Sequence, residues 1–359
     1  MNYFVCILLF LVSSVSVAQD VGVLLGFGKH RGDSGYAYET YWLGMRDGKA
    51  FVAGPLNDLL VPSGKGFYRV GTKAGCNLDL SIGKSQYLYV VPKDEQPVVS
   101  LLSCAEAERL QAKAEKKRKK RAAAEGEECL DCDAPGTYEM STWINLVTSK
   151  SVLYAESVYY DGGVHPDQSF DYKVRSIGAD KSGYFDSIGG NEFLKEAKSI
   201  KPGDENDKEC LANAEYDNIG WSVKRSKFTW EFEGYLPTHR LCGYGTDFSS
   251  KRKVDTLEVG PLVPEGLRSQ LKGKEDAFIS PDGQTVIGVG KAGFEIFTVK
   301  DGKLVARFKK STKLGRIVLQ EWASGQYVGK WDKIFADLLR NKWKEPKYEK
   351  YDPKIHLGQ

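Results

Sequence analysis

The chain has 359 residues, 41% of them hydrophobic and 12% aromatic, which excludes a mostly disordered protein because there is enough apolar surface to offset the entropy of ordering. Lys and Arg number 51 against 48 Asp and Glu, a net charge of only +3, and that balance argues against a dedicated nucleic-acid binder, which carries a strong basic excess. Thirty-eight glycines with 19 Tyr and 16 Phe point to strands joined by turns rather than to a helical bundle.

The chain opens with an apolar run from Phe4 to Val12, followed by small and polar residues. Ser16 and Ala18 stand where a signal peptidase requires small side chains, so cleavage is expected after Ala18, although the leader lacks a Lys or Arg before its apolar run. The run is shorter than the ~20 residues a bilayer span needs. No later stretch reads as a transmembrane helix, so the mature chain is expected in the periplasm or secreted. Six cysteines then remain: Cys76, Cys104, Cys129, Cys132, Cys210 and Cys242. An even number in an exported chain reads as a disulfide framework, with fifteen pairings open. Cys129 and Cys132 form a CxxC, but Asp133-Ala134-Pro135-Gly136 follows it. That is loop chemistry, whereas a redox motif wants a helix after a strand and a zinc site wants a second ligand pair. Neither a metal nor a cofactor is expected.

Residues 19–102 read as a small β-rich domain. Tyr38 to Met45 is aromatic-rich, Arg46-Asp47-Gly48-Lys49 turns, and Ala50 to Ala53 returns, because Asp-Gly between such runs signals a hairpin. Phe67 to Val70 and Tyr87 to Val91 are further strands, the second stopped by Pro92. Residues 103–135 change character. Ala105 to Ala124 has no Gly, Pro or β-branched residue, which is helix-forming composition, and Leu110 is its only apolar side chain larger than Ala. Lys113 to Arg121 is strongly basic and acidic residues follow from Glu125, so the segment reads as an exposed helix within a charged linker.

Residues 136–343 read as a larger α+β domain. Trp143 to Tyr160 gives two strands, with Gly162-Gly163 ending the second; Trp221 to Tyr235 alternates, with Phe228, Trp230 and Phe232 on one face. Phe278 to Phe308 predicts a three-stranded meander with turns at Ser280-Pro281-Asp282-Gly283 and Lys300-Asp301-Gly302-Lys303. Ile317 to Trp322 is a strand. Asp332 to Trp343 is an amphipathic helix carrying Ile334, Phe335, Leu338 and Leu339, and residues 344–359 read as a loosely held tail. The fold class is therefore α+β, predominantly antiparallel β: a small N-terminal β-rich domain, a charged helical linker and a larger β-rich domain closed by an amphipathic helix.

No complete catalytic constellation appears, and no catalytic residue is assigned. Gly288-Val289-Gly290-Lys291-Ala292-Gly293 spells GxGxxG, but a strand follows it where a dinucleotide site needs a helix, so it reads as a hairpin turn. The most suggestive loop holds Asp161, Gly162, Gly163, His165 and Asp167. Two carboxylates flanking one imidazole in a Gly-rich loop could bind a ligand, or orient His165 as an acid or base in a hydrolase with Asp161 or Asp167.

The same loop carries a family resemblance. Asn145-Leu146-Val147-Thr148, a strand ending at Tyr159-Tyr160, and Gly162-Gly163-Val164-His165-Pro166 resemble the Gly-Gly-Ala-His signature of an uncharacterised extracytoplasmic α+β domain found in many exported bacterial proteins, lysozyme-sensing anti-sigma factors among them. Val164 stands at the Ala position. Trp322 to Val328, leading into the Asp332 helix, is similar to that domain's closing strand and helix. The likeness covers about residues 140–340. It implies a non-enzymatic sensing or binding domain and carries over no catalytic residue. The expectation is an exported protein that binds a cell-envelope or protein ligand, with no nucleic-acid partner.

Overall fold

The computed structural model describes residues 19–32, 35–64, 66–77, 83–99, 101–125, 137–161, 167–177, 195–196, 220–226, 228–236, 248–253, 261–341 and 345–348. In chain order these form β1 (Val21–His30), β2 (Tyr36–Arg46), β3 (Lys49–Asn57), β4 (Leu59–Ser63), β5 (Gly66–Asn77), β6 (Gly83–Pro92), β7 (Val98–Val99) and helix α1 (Cys104–Glu125). Then come β8 (Thr137–Val147), β9 (Ser151–Asp161), β10 (Asp167–Ser176), β11 (Gly220–Ser226), β12 (Thr229–Leu236), β13 (Phe248–Lys253) and the short helix α2 (Glu265–Arg268). The chain continues through β14 (Asp276–Ile279), β15 (Thr285–Gly290), β16 (Gly293–Lys300), β17 (Lys303–Ser311), β18 (Arg316–Ser324), helix α3 (Gln326–Arg340) and β19 (Lys347–Tyr348). The architecture is a β-rich α+β fold, mostly antiparallel with one mixed sheet, as composition and turn chemistry suggested. Among the described residues no helix is long and apolar enough to cross a membrane.

A ten-stranded sheet runs in the order β3-β2-β1-β18-β8-β6-β5-β4, with β9 and β10 added through β8. β1 is its hub: Val21 lies opposite Met45 on one side and Ser324 on the other. β8 pairs with β9 along its length and meets β6 at Met140 and β18 at Val147, both in parallel. The sheet therefore joins strands from both sides of α1. The division into domains at 19–102 and 136–343 does not separate two sheets, because β18 closes onto β1 almost three hundred residues upstream.

The sheet curls so that β4 comes back over β2. Asp58 donates its N–H to the Tyr38 carbonyl at 2.8 Å, and Leu60 donates its N–H to Thr40 Oγ1 at 3.0 Å. Inside the curl pack Leu24, Trp42, Leu59, Val61, Val70, Leu88, Ile144 and Val318, and α3 adds Val328 and Phe335. The other face of β1 and β2 presents Val21, Val23, Leu25, Phe27, Tyr41 and Leu43 to Phe278, Ile287, Phe294 and Ile296 of the four-stranded sheet β14-β15-β16-β17. β1 is thus buried on both faces, so its sequence reads as a continuous apolar run rather than an alternation. Each fully buried large aliphatic or aromatic side chain contributes about 1.5–3 kcal/mol by removal from water.

Strands β14 and β15 of the meander are buried on both sides too, since Ala277, Ile279 and Val286 pack against Val263, Leu267 and Leu271 around α2. Two hairpin turns are those the sequence foretold: Asp47-Gly48 between β2 and β3 and Asp301-Gly302 between β16 and β17 both have positive φ, the backbone hand that matches strand twist. The GxGxxG run is a hairpin, with Gly290 opposite Gly293. The stretch 221–235 is itself a hairpin. Phe228 sits in its turn at φ +74°, while Trp230 and Phe232 are buried on β12.

Three further corrections concern the ends of elements. The amphipathic helix begins at Gln326 rather than Asp332, started by Gly325 at φ +56°. The charged helix is pinned at its start. Ser103 caps it by accepting the Glu106 N–H, Ala107 is fully buried, and Cys104 is bonded to Cys76 of β5. The segment expected to be a loose tail returns to the body over Glu345–Tyr348. Lys347 and Tyr348 pair in parallel with Val98 and Val99, and Tyr348 donates its hydroxyl proton to the Ala74 carbonyl. The leader 1–18 and residues 349–359 lie outside the described residues.

Candidate functional site

The Cys76–Cys104 disulfide is formed, spanning 28 residues. Cys129, Cys132, Cys210 and Cys242 lie outside the described residues. The loop with the two carboxylates is bounded by a regular hairpin, with Thr137 opposite Asp161 and Asp167 opposite Tyr160. Gly162, Gly163 and His165 lie outside the described residues, as do the side chains of Asp161 and Asp167. Among the described residues, no group of three His, Cys, Asp or Glu side chains is placed to hold a metal ion.

The described residues bring together a different constellation. A cavity of about 440 Å³ lies between the edge of the meander and the entry to β18, lined by Arg225, Glu275, Asp276, Lys291, Lys313 and Arg316, with Val289, Leu314 and Ile317 beneath them. Arg225 reaches it from β11. Its guanidinium donates to both Asp276 oxygens at 2.8 and 3.1 Å and to the Ala277 carbonyl at 3.0 Å, and it lies 4.5 Å from the Phe278 ring centroid. Both side chains of this pair are more than nine-tenths buried. Burial raises the Asp276 carboxyl above its ordinary range, while Arg225 and the Ala277 N–H pull it back without overcoming that effect. The pair is thus a fixed, internally compensated floor.

The rim differs. Arg316 donates to the Ile144 carbonyl and to Asn145 Oδ1, both at 2.9 Å. Those neutral acceptors orient the guanidinium without cancelling its charge. Lys313 is exposed, and Lys291 stands 3.7 Å from Glu275 with both side chains largely in water. Four cationic residues and two carboxylates therefore line the cavity, and one of the carboxylates is already bound to Arg225. The lining therefore carries an excess of positive charge, with Lys313 a point charge open to solvent.

A second polar cluster lies on the outer face of β5 and β6. Arg69, 2% exposed, donates to Asp58 Oδ2 at 2.7 Å. The Tyr89 phenol beside them is held well above its ordinary range by burial and then by the Asp58 carboxylate. Val99, Leu101 and Tyr348 cover this face. The arrangement ties the returning segment to the sheet.

Sequence reasoning missed the cavity. Arg225, Asp276 and Arg316 come from three distant segments, and none sits in a local pattern that marks a site. No protein-family model matches the chain, and no curated protein matches it.

Proposed function

We propose that this chain is an exported binding protein that acts without chemistry, holding an anionic group of a cell-envelope or protein ligand in the cavity between the meander and the main sheet. The observation that carries this reading is the lining: cations outnumber carboxylates around the cavity, Lys313 is exposed there, and the buried Arg225–Asp276 pair is already satisfied. Arg225, Asp276, Val289 and Ile317 of the lining stand on strands, which limits the ordering entropy spent on binding. The Cys76–Cys104 bond suits an oxidising compartment, and the likeness of 140–340 to an extracytoplasmic sensing domain points the same way.

The test is calorimetric titration of the full chain with inorganic phosphate and with an acidic peptide at low and high salt. Binding that weakens with salt and falls about five- to tenfold in Lys313→Glu supports the reading. Heat that is absent at low salt, or that Lys313→Glu leaves unchanged, overturns it.

A further inference from the structure

We infer that helix α1 is a docking strip for an anionic phospholipid surface. Among the described residues, the contacts that hold α1 to the body lie near its start. Leu102 bridges Cys76, Cys104 is disulfide-bonded, and Ala107 is buried with Leu110 packed beside it. From Ala112 onward every position whose exposure is described is open to solvent. At 3.6 residues and 5.4 Å per turn, Lys113, Lys116, Lys117 and Lys120 fall within one arc of about 100° and within about 10 Å along the axis. Glu108 and Glu115 lie on the opposite side, and Glu115 is taken by Lys119 at 2.7 Å.

The stripe has no internal compensation. Every neighbour of these four lysines at three or four positions along the helix is Ala, Leu or another cation. Like charges at that spacing destabilise a helix. Among the described residues no carboxylate is paired with any of the four. The stripe thus weakens the helix that carries it, and a polyanion laid along it removes that repulsion. The chemistry favours a headgroup surface over other polyanions. No aromatic or amide side chain lies on the stripe to stack bases or sugars. Lysine supplies point charges rather than the planar fork that reads a fixed phosphate geometry. An apolar stripe is also missing, so the contact is with headgroups and does not enter the acyl region.

The test uses the full chain, with the disulfide intact, in co-sedimentation with vesicles of phosphatidylcholine alone and of equimolar phosphatidylglycerol and phosphatidylcholine. Binding is expected only to the anionic vesicles and is lost at high salt. Replacing Lys113, Lys116, Lys117 and Lys120 together by Gln should lower partitioning about a hundredfold or more, while replacing all four by Arg should preserve it. Gln keeps the helix propensity, so far-UV circular dichroism is unchanged. A control variant neutralises four exposed lysines elsewhere on the chain, Lys272, Lys300, Lys303 and Lys330, and should lose at most a few-fold. Equal loss in both variants shows a response to net charge and overturns the inference. So does absence of vesicle binding, and so does capture by duplex DNA at concentrations where anionic vesicles fail.

Discussion

Replacing Gly22 by Ala probes how the hub strand is seated. A Cβ at Gly22 would fall 2.1, 2.5 and 2.7 Å from Cη2, Cζ2 and Cζ3 of Trp42, all atoms of the six-membered part of the indole. That ring has no room to withdraw. It is fully buried, lies 5.3 and 5.7 Å from the Phe51 and Trp331 ring centroids, and donates Nε1 to Asp332 at 3.3 Å. Asp332 is also gripped by both terminal nitrogens of Arg46, so moving Trp42 disturbs the docking of α3. Overpacking costs about 1–3 kcal/mol, and loss of the indole hydrogen bond costs about 1 kcal/mol. Loss of glycine's freedom in the unfolded chain returns about 0.4–1 kcal/mol. The net expectation is destabilisation by about 2 kcal/mol. Trp42→Phe removes the atoms that clash, so in that background Gly22→Ala should cost nothing or stabilise slightly. Urea unfolding of the four proteins of the cycle, followed by far-UV circular dichroism, should give a coupling of about 2 kcal/mol. If Gly22→Ala costs the same in both backgrounds to within about 0.5 kcal/mol, the indole is not what excludes a side chain there.

Cys104→Ser should cost about 3–4 kcal/mol on the loop-entropy estimate for a crosslink across 28 residues and should reduce the helical signal of α1. An unchanged urea midpoint would show that the bond constrains nothing. Arg69→Met removes the buried guanidinium that donates to Asp58 and should cost about 3–5 kcal/mol; a loss under about 1 kcal/mol would mean that the carboxylate does not depend on Arg69. Burial raises the Asp276 carboxyl, so the folded state holds that proton more tightly than the unfolded state. Its contribution to stability is therefore greatest in acid and declines as pH rises from about 4 through the raised value. Arg225→Met pushes the carboxyl higher still, so the variant should be more costly near pH 7 than near pH 4. Equal cost at both, read from urea midpoints, would separate Asp276 from Arg225.

Much of the local structure was legible because it rests on short-range chemistry. Asp47-Gly48 and Asp301-Gly302 adopt the turns that a two-residue hairpin needs. The composition of Ala105 to Ala124 makes a helix with little to bury. Ile334, Phe335 and Leu338 mark one face of α3. β1 was harder to see, because a strand covered on both sides loses the alternation that identifies a strand. Gly22, Gly26 and Gly28 interrupt it further, and two of those glycines are there because Trp42 and Leu319 come too close for a side chain.

By itself, the sequence determined the class of fold, the hairpins, the two long helices and the cysteines available to pair, since each follows from backbone preference and periodicity within a few residues. Only the tertiary structure decided that β18 closes on β1, that Lys347 and Tyr348 return to pair with β7, and that Arg225, Asp276 and Arg316 line one cavity. Those pairings join segments tens to hundreds of residues apart. They are set by which apolar faces can bury each other, a choice that no local pattern encodes.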